Sequence, residues 1–407
     1  MFRRKRRWPF AGFLGLVAAA IVALSAPPAS AGPSLVFDAQ SGEVFHAYQP
    51  FAQWYPASLT KMMTAYVAFR AIRQGRASLD TPVTMSQLAA AQPPSRMGFP
   101  VGTTISLDYA LRIIIVRSAN DVSVAIGEAV SGSLDAFIAE MNGAAARLGM
   151  TDTRFVNPHG LPDSRQVSTA RDLALLTRAL ITEYPEYRFV FASRAIEVGS
   201  QTLTNHNRLL GRLEGADGMK TGYTCSSGFN LAASATRGGR RIVAIVLGGP
   251  TSNRRNEVAA RLLEAGFQKS SGFRLFSRGP RLTELARPAT VAEPVDLRPY
   301  VCQGQTLPDH LASFGTLGEI GASGGVAAAS ASAASGPPVV EMPDEVSEVT
   351  TPAPARGMTA QRIPLPRPRP KFEAAEAREL PVQAGTSSRR EDASSLPAPA
   401  FLRTPSR

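Results

Sequence analysis

Two runs decide the fold class: Phe229-Asn-Leu-Ala-Ala-Ser-Ala235 and Arg241-Ile-Val-Ala-Ile-Val-Leu247. The second is almost wholly apolar, as a strand buried on both faces must be, so it belongs in the middle of a sheet. Far upstream, Ser34-Leu-Val-Phe-Asp38 and Val44-Phe-His-Ala-Tyr48 flank Gln40-Ser-Gly-Glu43 and read as a hairpin. The chain between reads as helix. From Ser58 to about Arg73, Met62, Met63, Tyr66, Val67 and Phe69 form a wide apolar stripe, with Pro56 as a start signal and Gly75 as a stop. Leu107 to Val116, Val122 to Val130, 133–149 and 169–182 are further helices, and Val258 to Phe267 closes the region. Strands at both ends with helices between predict an α+β fold: one antiparallel sheet with helices packed on it. A region spanning 32–275 is long enough to bury a substantial core.

The ends have a different character. Arg3 to Arg7 are all basic, Phe10 to Leu24 is apolar, and Ala29-Ser30-Ala31 is a small-residue cleavage pattern before Gly32. Residues 1–31 therefore read as a signal peptide, and the chain as exported to the periplasm or cell envelope of a bacterium. Arg6-Arg7 followed by Phe10 leaves twin-arginine and general export both open. Residues 276–312 form a short extension whose structure stays open. Residues 313–407 read as disordered. They contain a Gly, Ala, Ser, Val and Pro run over 321–340, an acidic patch over 341–348, and the basic Arg362-Ile-Pro-Leu-Pro-Arg-Pro-Arg-Pro-Lys371 of polyproline II type.

The formal charge of +12 falls to +7 once residues 1–31 are removed, and that excess sits in 32–275. It suits an anionic cell-wall polymer or a solvated surface. An exported chain without a basic-aromatic pattern is no nucleic-acid binder. The four histidines are scattered and show no zinc spacing, so neither a metal nor an organic cofactor is expected. Export permits a disulfide between Cys225 and Cys302, but spacing alone does not bring them together; two free thiols is the simpler expectation.

The chain holds five lysines against 39 arginines. Arginine does not lose its proton in a protein, whereas a buried lysine can. A lysine kept against this bias is a candidate for chemistry. Lys61 closes Ser58-Leu-Thr-Lys61, Lys220 opens Lys220-Thr-Gly222, and Ser118-Ala-Asn120 lies between them. On a helix, residues one turn apart share a face, so a neutral Lys61 can take the proton of Ser58. A second cation such as Lys220 would help lower the Lys61 pKa. The N–H of Ser58 can meet a developing oxyanion. Alone, this triplet is a weak signal and more simply describes a solvated helix face. Ser118 could relay a proton to a leaving amine, and Asn120 could hold a substrate amide and Lys61. The plain alternative is a loop in which Asn120 or Asp121 caps the next helix. Gly222 leaves room for a substrate backbone along a strand edge, with Lys220 and Thr221 facing a carboxylate and the N–H of Tyr223 as second oxyanion donor. The alternative there is a turn before the strand at Phe229.

The order S-x-x-K, S-x-N, K-T-G is that of serine enzymes acting on D-Ala-D-Ala peptides and β-lactams. The flanking stretches carry the likeness further. Pro56-Ala-Ser-Leu-Thr-Lys-Met-Met-Thr64, Arg117-Ser-Ala-Asn-Asp121, Phe155-Val-Asn-Pro-His-Gly-Leu161, Ser168-Thr-Ala-Arg-Asp172, Asn205-His-Asn-Arg-Leu-Leu210 and Asp217-Gly-Met-Lys-Thr-Gly222 all resemble signatures of the D-alanyl-D-alanine carboxypeptidase family, the low-molecular-mass penicillin-binding proteins. The resemblance covers about 33–275. It implies the DD-peptidase/β-lactamase-like fold, Ser58 as acyl-enzyme nucleophile, Lys61 as base, Ser118 and Asn120 in proton relay and positioning, and Lys220 and Thr221 near the substrate carboxylate. Arg255 is either a second carboxylate contact or a surface arginine at a helix start. His159 and Asn157 read as structural loop residues. Many members carry a second β-rich domain and an amphipathic C-terminal helix that anchors them. Here a polar, Pro-rich tail stands in both places, which leaves membrane attachment by that route without support and the tail's partners unknown.

The implied reaction removes the terminal D-Ala of a peptidoglycan stem peptide, and β-lactams would acylate the same serine. A D,D-endopeptidase would use the same residues. A β-lactamase fits less well, because no Glu-x-x-Leu-Asn pattern is found to position a deacylating water. A non-catalytic wall-binding protein is the reading from another class, and the intact Ser58, Lys61 and Lys220 speak against it.

Overall fold

The computed structural model describes residues 32–271 and 279–308. The leader at 1–31 and the tail at 313–407 lie outside the described residues.

Strands β1 (Ser34–Asp38) and β2 (Val44–Tyr48) form the expected hairpin, followed by the short β3 (Gln53–Trp54). A 3-10 turn, Ala57–Leu59, leads into helix α1 (Thr60–Arg73). Next come β4 (Pro82–Thr84), α2 (Gln87–Ala90) and β5 (Thr104–Ser106), then helices α3 (Leu107–Val116), α4 (Asn120–Ser131) and α5 (Leu134–Arg147). Strand β6 (Ser168–Thr169) opens into α6 (Ala170–Glu183), and α7 (Arg188–Ala192) precedes a small hairpin, β7 (Ala195–Val198) and β8 (Gln201–Thr204). Three long strands follow: β9 (Ala216–Thr224), β10 (Gly228–Arg237) and β11 (Arg240–Gly249). Helix α8 (Ser252–Ser271) and the short α9 (Arg298–Val301) complete the described chain.

The main sheet is antiparallel, in the order β2-β1-β11-β10-β9. The apolar β11 is indeed central, and its residues divide by parity. Val243, Ile245 and Leu247 face the helical layer of α1, α3, α4 and α6. Ile242, Ala244 and Val246 face α8, against Val258, Ala259, Leu262 and Leu263. Alternating side chains thus fill two cores from one strand. At about 1.5–3 kcal/mol for each large apolar side chain buried, these layers hold the sheet between its helices.

Local signals set the helix ends. Ser106 caps α3 by accepting from Tyr109 N–H, and Thr169 caps α6 by accepting from Asp172 N–H. Gly132, at φ 78°, ends α4 in the left-handed conformation that glycine adopts without a Cβ clash. Two expectations shift. Helix α8 begins at Ser252, six residues before Val258, because its first turns are polar and carry no apolar stripe. The Lys220-Thr221-Gly222 triplet is no turn: it lies within β9, at the sheet edge.

Cys225 and Cys302 are bonded to each other, which corrects the expectation of two free thiols. The reason is three-dimensional: residues 279–308 fold back over the domain and bring Cys302 to the β9/β10 turn. Among the described residues, no single helix is long and apolar enough to cross a membrane.

Candidate active site

Ser58 sits in the tight turn at the head of α1, and Lys61 lies one turn along on the same face. Lys61 is fully buried. Its Nζ is 3.0 Å from Ser58 Oγ, 2.8 Å from Asn120 Oδ1 and 2.7 Å from the carbonyl oxygen of His159. A primary amine therefore has three oxygen partners from three separate segments. One of them, the backbone oxygen of His159, could not be found from side-chain pattern.

Each segment is braced in turn. The α4 N-cap is Ala119, not Asn120 or Asp121. The Asn120 side chain instead spans from Lys61 to the Pro93 carbonyl, at 3.0 Å from Nδ2. Asp121 accepts from the N–H groups of Met97 and Gly98, both at 2.9 Å, and so ties down the loop beside the site. On the other side, Asn157 Oδ1 accepts from Gly160 N–H at 2.7 Å, and the buried Gln166 joins Asn157 to Thr60. Gly160 (φ +92°) lies so close to the serine turn that a Cβ there would be 1.9 Å from the Ala57 oxygen. Only glycine fits on both counts. The His159 ring is buried, and its Nδ1 accepts from Leu161 N–H at 3.1 Å.

The second wall is β9. Lys220 is also buried, and its Nζ donates to Ser118 Oγ at 3.1 Å and to the Thr221 carbonyl at 2.8 Å. A Cβ on Gly222 would stand 3.1 Å from the N–H nitrogens of both Ser58 and Leu59. The main chain at Gly222–Tyr223 is thus pressed against the serine turn. Thr221 is buried and Tyr223 is exposed. Arg255 is buried as well, which removes the surface-arginine alternative. Its guanidinium bonds Asn256 Oδ1 at 2.8 Å and lies over the Phe229 ring.

Two residues beside the chemistry hold strained backbone. Ala57 has φ 47° and Ser118 has φ 60°, a region that residues with a Cβ enter at a cost of about 1–3 kcal/mol each. Each lies at a hydroxyl of this cluster: that of Ser58, next in sequence to Ala57, and that of Ser118 itself.

The electrostatics follow from burial. Loss of water pushes Lys61 well below the usual lysine value, and the Lys220 charge pushes it further, against a smaller pull from Asp121. Burial first and Arg255 second bring Lys220 to about 7. Sequence reading did not single out His206 as part of this cluster. Burial and then Lys220, Arg117, Arg255 and Lys61 hold its pKa at about 3, so its imidazole is neutral at pH 7. The signal was its place inside Asn205-His-Asn-Arg-Leu-Leu210.

A serine beside a buried, deprotonatable lysine, with a second lysine on an edge strand, can perform acyl transfer. The sequence profile described as D-alanyl-D-alanine carboxypeptidase matches residues 20–251. The chain belongs to the D-alanyl-D-alanine carboxypeptidase family. It is 35% identical over 263 residues to the D-alanyl-D-alanine carboxypeptidase DacA of Haemophilus influenzae, covering 63% of this chain and 67% of that one. Among solved structures it is similar to penicillin-binding protein 5 of the same organism, with 35% identity, a TM-score of 0.57, and coverage of 60% and 73%. The cefotaxime-bound form of penicillin-binding protein D2 from Listeria monocytogenes aligns with 30% identity and a TM-score of 0.53, over 58% of this chain and 97% of that one. This carboxypeptidase-family chain is a serine peptidase with the DD-peptidase fold.

Proposed function

We propose that this D-alanyl-D-alanine carboxypeptidase acts on peptidoglycan stem peptides in the bacterial envelope, by way of an acyl-enzyme on Ser58. The observation that carries this reading is the single amine of Lys61, buried and 3.0 Å from Ser58 Oγ. Neutral Lys61 takes the Ser58 proton as Oγ attacks the carbonyl between the last two D-alanines. The oxyanion is met by the N–H groups of Ser58 and Tyr223. As the C–N bond breaks, the Ser118 hydroxyl, itself hydrogen-bonded to Lys220, passes a proton to the leaving amine and is reprotonated by the proton that Lys61 took from Ser58, which leaves Lys61 neutral again. Water then attacks the ester, Lys61 again accepts the proton, and Ser58 is regenerated. Lys220 and Thr221 hold the terminal carboxylate, with Arg255 adding positive potential behind them. Asn120 keeps Lys61 aimed and can meet the substrate amide. A β-lactam presents the same carbonyl and carboxylate, so it acylates Ser58 and stays.

The test compares wild type and Ser58→Ala with a fluorescent penicillin on a denaturing gel. Stable label on wild type alone, with free D-Ala released from a stem pentapeptide, supports the reading. Folded wild type without label overturns it. Release from cross-linked dimers rather than from the pentapeptide would make the chain an endopeptidase.

A further inference from the structure

Residues 279–308 cross the domain as a strap that no step of this chemistry uses. The strap starts at the β1/β2 hairpin, where Leu282 N–H donates to Gly42 and Val44 N–H donates to Pro280. It passes Gln53, whose N–H donates to Ala292 at 2.9 Å, and reaches the turn joining β9 to β10. There Leu297 N–H donates to the Ser226 carbonyl at 3.0 Å, and the Leu297 side chain is buried against Gly228. One turn of helix later, Cys302 is bonded to Cys225 in that same β9/β10 turn. The Tyr223 hydroxyl donates to Cys302 Sγ at 3.2 Å, and its ring stacks on Phe229 with centroids 4.3 Å apart. Tyr223 is nevertheless 46% exposed, one of four large apolar side chains so open among the described residues.

The direction of the substrate follows from the roles assigned above, on which this inference rests. The terminal carboxylate lies at Lys220 and Thr221, and the scissile carbonyl at the N–H of Tyr223. A peptide added along β9 must therefore run onward past Thr224 and Cys225. Residues before the penultimate D-Ala then lie beside the Tyr223 ring and the disulfide.

We propose that the disulfide-fastened strap and the Tyr223 ring form the wall that binds the stem peptide upstream of its D-Ala-D-Ala end, making the bond a determinant of preference for long over short substrates. The wall combines an aromatic face with an exposed polar rim at Gln303 and Gln305. Such a surface suits a peptide with an aliphatic, amine-bearing or carboxylate-bearing side chain at that place.

The experiment uses the full chain in three forms: wild type, Cys225→Ser/Cys302→Ser, and folded wild type that has been reduced and alkylated. Each is labelled with fluorescent penicillin and assayed on N-acetyl-D-Ala-D-Ala and on a stem pentapeptide. The expected result is a KM for the pentapeptide raised about tenfold, with its kcat and the short substrate changed less than about twofold, well short of the roughly hundredfold loss from misplaced chemistry. Tyr223→Phe, which keeps the ring and loses the bond to sulfur, raises the pentapeptide KM by about two- to tenfold. Equal losses on both substrates, or no change on either, overturn the wall while leaving Ser58 chemistry intact. Absence of penicillin label on wild type removes the acyl-transfer reading and this proposal with it. If the serine variant fails to fold, the reduced and alkylated wild type decides between these outcomes.

Discussion

The two lysines occupy opposite kinds of site. Lys61 is closed in by three oxygens of the protein itself, held by loops that are braced in turn by Asp121, Asn157 and Gln166. Lys220 stands on an edge strand whose outer side has, among the described residues, no neighbouring strand in the sheet. On the proposed roles, the base is complete before substrate arrives and the binding strand is completed by substrate. Chemistry needs a group fixed in position and protonation state, whereas recognition by strand addition needs unpaired backbone. The comparison explains why both amines are buried but only one stands on an edge strand.

Breaking the enclosed half has the largest effect. Lys61→Ala removes the base and is expected to lower penicillin acylation by about 10³-fold or more, measured as the second-order rate of label formation. Gly160→Ala comes next. Its Cβ meets the Ala57 oxygen and the residue must still hold a positive φ, so the serine turn has to shift. A loss of roughly 2–4 kcal/mol in urea unfolding, with acylation slowed, is expected. A stable, fully active Gly160→Ala protein would show that the turn tolerates movement.

Breaking the open half acts on binding. Lys220→Gln keeps a donor but loses the charge, and is expected to raise KM for a D-Ala-D-Ala peptide by about ten- to a hundredfold, more than it lowers kcat. A fall in kcat alone would move Lys220 from binding to chemistry.

The smallest effect sharpens the contrast through pH. Lys61 must be neutral to accept a proton, so kcat/KM rises as pH passes upward through its lowered value. Lys220 must be charged to hold a carboxylate, so kcat/KM falls again as pH rises through about 7. A bound carboxylate raises the Lys220 value, which shifts the alkaline limb of kcat above that of kcat/KM. In Lys220→Gln that limb should vanish, while the acid limb remains but moves to higher pH, because the Lys220 charge no longer helps to depress Lys61.

The sequence was legible where one residue type has one use. The apolar Ile242 to Leu247 reads as a buried strand, and lysines kept among arginines singled out Lys61 and Lys220, which the fold brings to Ser58 and Ser118. Strand β9 was harder to read, because Ala216-Asp-Gly-Met-Lys-Thr-Gly-Tyr-Thr224 carries the polar and glycine content of a turn. The small β7/β8 hairpin has little buried face and so no strong alternation. The His159 carbonyl was invisible because every residue has one. The disulfide was hidden because its partners lie 77 residues apart and meet only when the strap folds back. In the chain-entropy account a bond closing such a loop stabilises by roughly 4–5 kcal/mol, an upper figure that strain reduces.

An enzyme that recognises peptides by strand addition must leave one sheet edge unpaired for life. The same edge would accept any extended chain, including another molecule of its own kind, and exposed edges are how β-proteins aggregate. Here Gly222 of β9 lies against the serine turn and Lys220 bonds Ser118, so on the proposed reading the groups that frame a substrate strand also stand beside the edge that a second copy would approach.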